Sequence, residues 1–468
     1  MSHFIKSIEA KGVLGRFDIY QEFQEGVNVL FGKNGTGKTT LLHILANLLN
    51  GDYKRFAFIE FTSIRVKLND KTDIFVLKDR IEKDSYINVT INGKSFAEGL
   101  STKEIVEQEK FKEERVGVVS GGYRERVKRK RDDEVIVPIL PSAYFPAFRT
   151  MIEAWTSSVE YEYAISSRSV LRETQFLSTN FARELFGSFV PNLNYPSPIE
   201  IERELSVEIE EALIKVARAD REYFGDLVPS IFQVLSKNSH SLEDISSLGQ
   251  SDAILEDINS LVKKLEDYPL KTAPTITQLR SSVISFQVDE ESKRIAERVL
   301  NIYREALKEV IAIQEDSFRG IEQYLNSVNS FLEGKSIEIS LEENKLRRKP
   351  SVGIKFNEGN PQKIHGIRRA LSSGEREIVT LIYAATHMSK QQVVLIDEPE
   401  ISLHVDWQRP LLQKMSEQLG DRQIIVCTHS PVIGADYEER VIIFEPTITC
   451  SSKAAIDNEF ADEDNEVF

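Results

Sequence analysis

Short apolar runs of strand length recur along the chain, and three of them lead directly into polar, chemically capable residues. Val27–Leu30 (VNVL) is apolar and β-branched, the pattern of a buried strand. Just beyond it, Leu41, Leu42, Ile44, Leu45 and Leu48 recur at helical spacing. Val393–Ile396 and Ile424–Cys427 predict two more buried strands, and Ile378, Val379, Leu381 and Ile382 predict a helix. Segments 4–13, 16–24, 58–68 and 86–93 alternate as half-buried strands do and predict an antiparallel layer beside the core sheet.

Between about 151 and 334 the pattern turns helical. Ser197-Pro198 followed by acidic residues is a helix start, with proline fitting the first turn and carboxylates facing its positive end. From Ser292 to Leu332, residues Val299, Tyr303, Ala306, Val310, Ile313, Ile321, Leu325, Val328 and Leu332 are spaced by threes and fours. Unbroken, that helix is roughly 60 Å long, and Gly320 is the expected point of interruption. Core packing is reason enough for the stripe. Strands return at 336–340 and 351–356.

Between the first strand and its helix lies Gly32-Lys33-Asn34-Gly35-Thr36-Gly37-Lys38-Thr39, the pattern G-x-x-x-x-G-K-[ST] in strand–loop–helix context. Backbone N–H groups must curl around a phosphate, and side chains would block that approach. Asn34, Gly35, Thr36, Gly37, Lys38, Thr39 and Thr40 are therefore the expected cradle for ATP. Lys38 reaches the β- and γ-oxygens, and the Thr39 hydroxyl ligates Mg²⁺. An ordinary glycine turn is the bland alternative.

The strand 393–396 ends in Asp397-Glu398, and an acidic pair leaving a buried strand needs cationic company. Asp397 is the expected second Mg²⁺ residue, through water, and Glu398 the base that polarises the attacking water. The strand 424–427 delivers His429, a candidate γ-phosphate sensor. A turn before Pro399 and a packing histidine are the structural alternatives. Leu371-Ser372-Ser373-Gly374-Glu375 opens the helix after 371. It reads either as a helix cap, with Ser372 or Ser373 bonding backward, or as an anion site with free donors.

Composition changes this picture little. The chain has 468 residues, which suggests about three domain-sized units. Hydrophobic residues make up 41% and charged residues 28%, as in a soluble protein with a true core. No run of eighteen apolar residues is present and the start lacks a signal-peptide layout, so a cytoplasmic protein without membrane contact is expected. Cys427 and Cys450 form no CxxC pair, which argues against a zinc site or a disulfide framework. A net charge of −15 repels DNA, so DNA binding would need a local basic patch. Arg124–Arg131, inside the charged excursion 101–134, offers six basic residues; a solvated hairpin loop is the other reading. The tail, 456–468, is acidic and expected to be disordered.

The order P-loop, LSSGE, acidic strand, histidine resembles ATP-binding-cassette ATPases, specifically their SMC/RecF-like branch, over residues 1–150 and 335–445. The resemblance implies an α/β fold: a P-loop ATPase head of mixed sheet plus antiparallel layer, with an inserted antiparallel helical, coiled-coil arm. It divides the chain into head lobe I (1–150), arm (151–334), head lobe II (335–455) and acidic tail (456–468). It also implies that Ser372, Ser373, Gly374 and Glu375 contact the γ-phosphate held by another protomer's P-loop. ATP would then be sandwiched in a dimer, the unit of a homo-oligomer, and hydrolysis would open it. Ser373 stands where the family often has glycine. Arg149, in AYFPAFRTM, stands where its glutamine loop is expected; a phosphate or partner contact and a surface salt bridge are both open for it. The arm is too short for a chromosome-spanning coil and has no CxxC for a zinc hook.

Only 39 residues follow His429, too few for the TOPRIM nuclease that relatives in the overcoming-lysogenisation-defect group carry there. IDEPEISLHVDWQ, YFPAFR and LSSGERE together resemble the stand-alone ATPase subunits of bacterial anti-phage systems, PARIS first and Septu second. That resemblance implies a sensor that holds a separately encoded nuclease, TOPRIM-type or HNH-type, and responds to a phage-derived trigger. A DNA-repair clamp and a non-hydrolysing ATP-binding scaffold are the other readings.

Overall fold

The computed structural model describes residues 3–81, 84–117, 138–156, 168–225, 227, 229–231, 251–267, 290–344, 347–358, 365–389 and 391–448. The basic cluster 124–131, Cys450 and the acidic tail lie outside the described residues. Two compact units are present: residues 1–197 with 380–468, and residues 198–379. The divisions between them fall at 197/198 and 379/380.

The first unit holds two sheets. Its strands are β1 (Ile5–Val13), β2 (Phe17–Glu22), β3 (Gly26–Phe31), β4 (Ser63–Leu68), β5 (Asp73–Ile81), β6 (Asp84–Ile91), β7 (Lys94–Ser101) and β8 (Ser142–Phe145). In the second unit lie β9 (Lys335–Asn344) and β10 (Arg347–Phe356), an antiparallel pair. The chain then returns to the first unit for β11 (Val393–Asp397), β12 (Gln423–Thr428), β13 (Val441–Ile443) and β14 (Thr447–Ile448). One sheet runs β14-β2-β1-β4-β5-β6-β7, and its described pairings are all antiparallel. The other runs β13-β3-β12-β11-β8, and its described pairings are all parallel. The expected α/β fold with an antiparallel layer is present, and its mixed character comes from two separate sheets rather than from one. Parallel strands buried on both faces read as near-continuous apolar runs, which is why VNVL, VVLI and IIVC were visible in the sequence.

Parallel order fixes where function can go. β3, β12, β11 and β8 are successive neighbours, so their carboxyl ends open side by side at one edge of the sheet. The helix Lys38–Leu49 leaves β3 at that edge, and ten of its twelve residues are buried. Nearly all of it is therefore held by the core, and only its first turn has room for a ligand.

A buried glutamine ties the two sheets together. Gln423 is fully buried at the start of β12. Its Nε2 donates to the carbonyls of Ile5 (2.9 Å) and Gln24 (2.9 Å), and its Oε1 accepts from the Ile5 amide (2.9 Å).

One element was not expected and one expectation changes. The first part of the charged excursion, Thr102–Gly117, is a helix, while the hairpin reading of Arg124–Arg131 lies outside the described residues. Ser101 supplies the reason, since its Oγ accepts from the Glu104 amide and donates to Asp84, which also takes the Thr102 hydroxyl. In the second unit the long helix runs unbroken from Glu290 to Asn329, through Gly320. A helical glycine costs roughly 1 kcal/mol. The stripe of Tyr303, Leu307, Val310, Phe318, Ile321 and Tyr324 is buried on both sides of Gly320 and outweighs that cost. The expected start at Ser197-Pro198 is observed as a helix Pro198–Gly225, with Glu200 in its first turn.

Replacing Gln423 with leucine removes its bonds to both backbone groups of Ile5 and to the Gln24 carbonyl, which keeps the Asn28 side-chain amide at 2.8 Å. We expect Gln423→Leu to lower unfolding free energy by about 2–4 kcal/mol, read as a lower denaturant midpoint at unchanged slope.

Candidate functional site

The cradle is built by backbone conformation. Gly35 (φ 79°) and Gly37 (φ 93°) occupy left-handed conformations that a side chain would strain. Gly37 precedes the first residue of the helix Lys38–Leu49, so the loop's amides and the positive end of the helix converge. Lys38 is buried, and its Nζ donates to the carbonyls of Gly32 (2.6 Å) and Lys33 (3.0 Å), inside the curve of the loop. Thr36 Oγ1 donates to the same Lys33 carbonyl at 2.9 Å. Asn34 and Gly35 are exposed at the tip, and Thr40 is half-buried in the first helical turn.

Across the sheet edge, Thr39 Oγ1 donates to Asp397 Oδ2 at 2.8 Å, joining residues 358 positions apart. Asp397 Oδ1 is buried and has no hydrogen-bond partner. Burial pushes the Asp397 carboxyl up to about 6, the Thr39 bond working against it and the Glu398 charge with it. An orphaned carboxylate oxygen beside a threonine hydroxyl is a hard-oxygen donor set, and it fits Mg²⁺. Mg²⁺ takes only one or two protein carboxylates and completes its shell with phosphate and water. Among the described residues, no group of three or more His, Cys, Asp or Glu could by itself hold a metal.

Glu398 follows with φ 48°, a left-handed conformation unusual for glutamate. Its amide donates to the Cys427 carbonyl at 2.8 Å, and its side chain is 25% exposed. His429 Nδ1 lies 3.3 Å from Glu398 Oε1 and 3.7 Å from Glu400 Oε1. Thus Lys38, Thr39, Asp397, Glu398 and His429, expected from the sequence, meet at one sheet edge.

Sequence reasoning missed Glu400. Its Oε1 accepts from Thr428 Oγ1 (2.7 Å), the His429 amide (3.2 Å) and the Ser430 amide (3.1 Å). A carboxylate two residues past the acidic pair was its only signal. Arg149 corrects one expectation: it is not a surface salt bridge. It is 5% exposed, and it donates to the carbonyls of Pro146 and Asp397 (3.0 Å each), Glu398 and Pro399 (3.2 Å each) and Ile401 (3.3 Å). Burial pulls its guanidinium down to about 10, leaving it charged at neutral pH.

In the second unit, Ser372 caps the helix Ser373–Ala385. Its amide and hydroxyl both donate to Glu375 Oε2 (2.7 and 2.8 Å), and the Glu375 amide reaches back to Ser372 Oγ at 3.4 Å. Lys335 Nζ also donates to Glu375 Oε2 at 2.9 Å. Burial pushes the Glu375 carboxyl up, but the bonds from Lys335 and Ser372 outweigh it and hold it below its ordinary range. Ser372 and Ser373 are exposed, whereas Gly374 and Glu375 are buried. The cap reading is realised, and it leaves the serines facing solvent.

A family model described as an AAA ATPase domain matches residues 15–433. The chain belongs to the AAA ATPase domain family. In this member of the family, the matched span contains the cradle, the acidic pair and His429. No curated relative matches the chain in sequence. Among solved structures it is similar to an Smc head domain with an extended coiled coil bound to the C-terminal domain of ScpA, from Pyrococcus furiosus. That likeness has 13% identity, covers 96% of each chain and has a TM-score of 0.39. It is also similar to the recombination mediator protein RecF-ATPrS in the RecFOR pathway (14% identity, 95% of this chain and 98% of that chain, TM-score 0.32). A third similar structure is an Smc head domain with a coiled coil and joint from Pyrococcus yayanosii (15%, 93% of each chain, 0.35). Scores this low carry no weight for fold or function. No helix among the described residues is long and apolar enough to cross a membrane.

The folded Asp397 carboxyl sits above its ordinary value of 3.8, so folding favours its protonated form. That contribution is fully present below about pH 3.8 and is lost as pH rises through about 6. Asp397→Asn should therefore melt higher than the unsubstituted chain above pH 6, in chelator without nucleotide. The gap should close near pH 4, as read by thermal unfolding across pH.

Proposed function

We propose that the chain is an ATP-hydrolysing switch of the ATP-binding-cassette, SMC/RecF-like kind. The observation that supports this best is the Thr39–Asp397 bond, with Glu398 adjoining it and His429 3.3 Å from Glu398. These groups suit the separate tasks of phosphoryl transfer to water. The loop amides and Lys38 neutralise the β- and γ-phosphates. Thr39 and Asp397 would hold Mg²⁺, which when bound supplies charge neutralisation at the phosphate oxygens. Glu398 accepts the proton of the attacking water at its carboxylate. His429, held through its amide by Glu400 with its ring beside Glu398, would sense the γ-phosphate.

The same proposal makes the nucleotide a cross-link. The exposed Ser372 and Ser373 of one copy would meet the γ-phosphate held by the P-loop of another, giving an ATP-sandwiched dimer within a homo-oligomer. On the resemblance of IDEPEISLHVDWQ, YFPAFR and LSSGERE, we assign the switch to anti-phage defence. There it would hold a separately encoded nuclease and activate or release it when a phage product is sensed. A TOPRIM-type reading frame beside the gene favours PARIS, and an HNH-type frame favours Septu. The alternative, a DNA-repair clamp, draws its support from the six basic residues of Arg124–Arg131. Neutralising that cluster separates the two: loss of a steeply salt-dependent DNA affinity selects the clamp.

Lys38→Ala should abolish ATP binding. Glu398→Gln should keep binding and lose turnover by between about 100- and 10,000-fold, measured as phosphate release at saturating ATP. Equal rates for Glu398→Gln and the unsubstituted chain would remove Glu398 as the base. A chain that binds ATP and never releases phosphate would be the non-hydrolysing scaffold.

A further inference from the structure

The turn that carries Glu398 is strained and largely half-buried, and two side chains hold it, Arg149 from outside the turn and Glu400 from within it. Glu398 (φ 48°) and Ser402 (φ 69°) are non-glycine residues in left-handed conformations within five positions. Such conformations cost about 1–3 kcal/mol each and persist only where the surroundings over-determine them. A tight turn also aims successive carbonyls in different directions, where no strand or helix can pair them.

Arg149 pairs them. It lies four residues beyond β8, whose Phe145 is in register with Ile396 of β11, so the chain enters the helix Arg149–Thr156 beside the end of the acidic strand. One planar guanidinium then spans the carbonyls of Asp397, Glu398, Pro399 and Ile401, and braces itself on Pro146. Five N–H donors in a fixed fork suit this arrangement, whereas a lysine ammonium radiates three donors from one point. Glu400 secures the opposite side by taking three donors from Thr428, His429 and Ser430. Between the two anchors, the Glu398 side chain remains partly open to the nucleotide edge of the sheet.

We propose that Arg149 is a positioning residue for hydrolysis: acting through the backbone of 397–401, it sets the direction of the Glu398 carboxylate without touching the nucleotide. This rests on the reading of the chain as an ATPase. The role is separable from binding, because the carbonyls it takes belong to Pro146 and the turn 397–401, whereas the cradle belongs to the loop after β3 and the helix Lys38–Leu49.

The test uses the full chain and Arg149→Lys, with Arg149→Gln measured in its place should the lysine variant not fold. Turnover is measured against ATP concentration and affinity by calorimetric titration with ADP. Positioning predicts that kcat falls on the order of 100-fold, the cost of a small misplacement, while KM and the ADP Kd change less than about threefold. An unchanged kcat overturns the proposal, and so does parallel loss of kcat and ADP affinity. A second readout is independent of turnover. In histidine-labelled protein the His429 ring signal, whose ring faces Glu398, should move by more than its linewidth in the variant, while the His3 and His365 signals stay. A stationary His429 signal overturns positioning. A chain without turnover but with a shifted His429 signal overturns the ATPase reading alone. Failure of both variants to fold overturns the proposal, leaving Arg149 a residue of the fold.

Discussion

One hydrogen bond, from Thr39 to Asp397, holds the candidate site together. It joins the first turn of the cradle helix to the end of the acidic strand, across 358 positions of the chain. The bond can form because β3 and β11 flank β12 in a parallel sheet, which puts their carboxyl ends at one edge. Asp397 pays for that position in solvation: burial lifts its carboxyl to about 6, and one oxygen has no partner. A divalent cation would relieve both defects. The site is therefore built so that its electrostatics favour the bound state, as expected of residues arranged for charge stabilisation.

Strain is the second constraint. The acidic residue next in line, Glu398, leaves the strand in a left-handed conformation, and its turn is largely half-buried. Two long-range contacts hold it, Arg149 to four of its carbonyls and Glu400 to the turn after β12. The sheet brings the acidic pair to the cradle, and these contacts aim it.

Legibility in the sequence followed the range of the interaction. Gly32–Thr39, Asp397, Glu398 and His429 could be read because each sits next to an apolar run whose period announces its element. The buried parallel strands were clear for the same reason. Glu400, Arg149 and Gln423 act on backbone groups brought close by sheet order, and side-chain-to-backbone bonds of that range leave no local pattern. β5 and β7 were missed because they alternate weakly and are largely half-buried or exposed. Gly320 misled because a propensity of about 1 kcal/mol is small beside a long buried stripe. In LSSGE the serine cap was legible, whereas the Lys335 bond to Glu375 came from a strand about forty positions away.

The proposed switch depends on each nucleotide being completed by a second copy of the chain, and complementation tests this most directly. Lys38→Ala has a dead cradle and an intact Ser372. Ser372→Arg has an intact cradle and a blocked helix start. Each alone should release no phosphate from ATP. Mixed in equal amounts, they can form one whole site from the cradle of the second and the serines of the first. The account predicts that phosphate release returns on mixing, and a mixture as silent as its parts would contradict it.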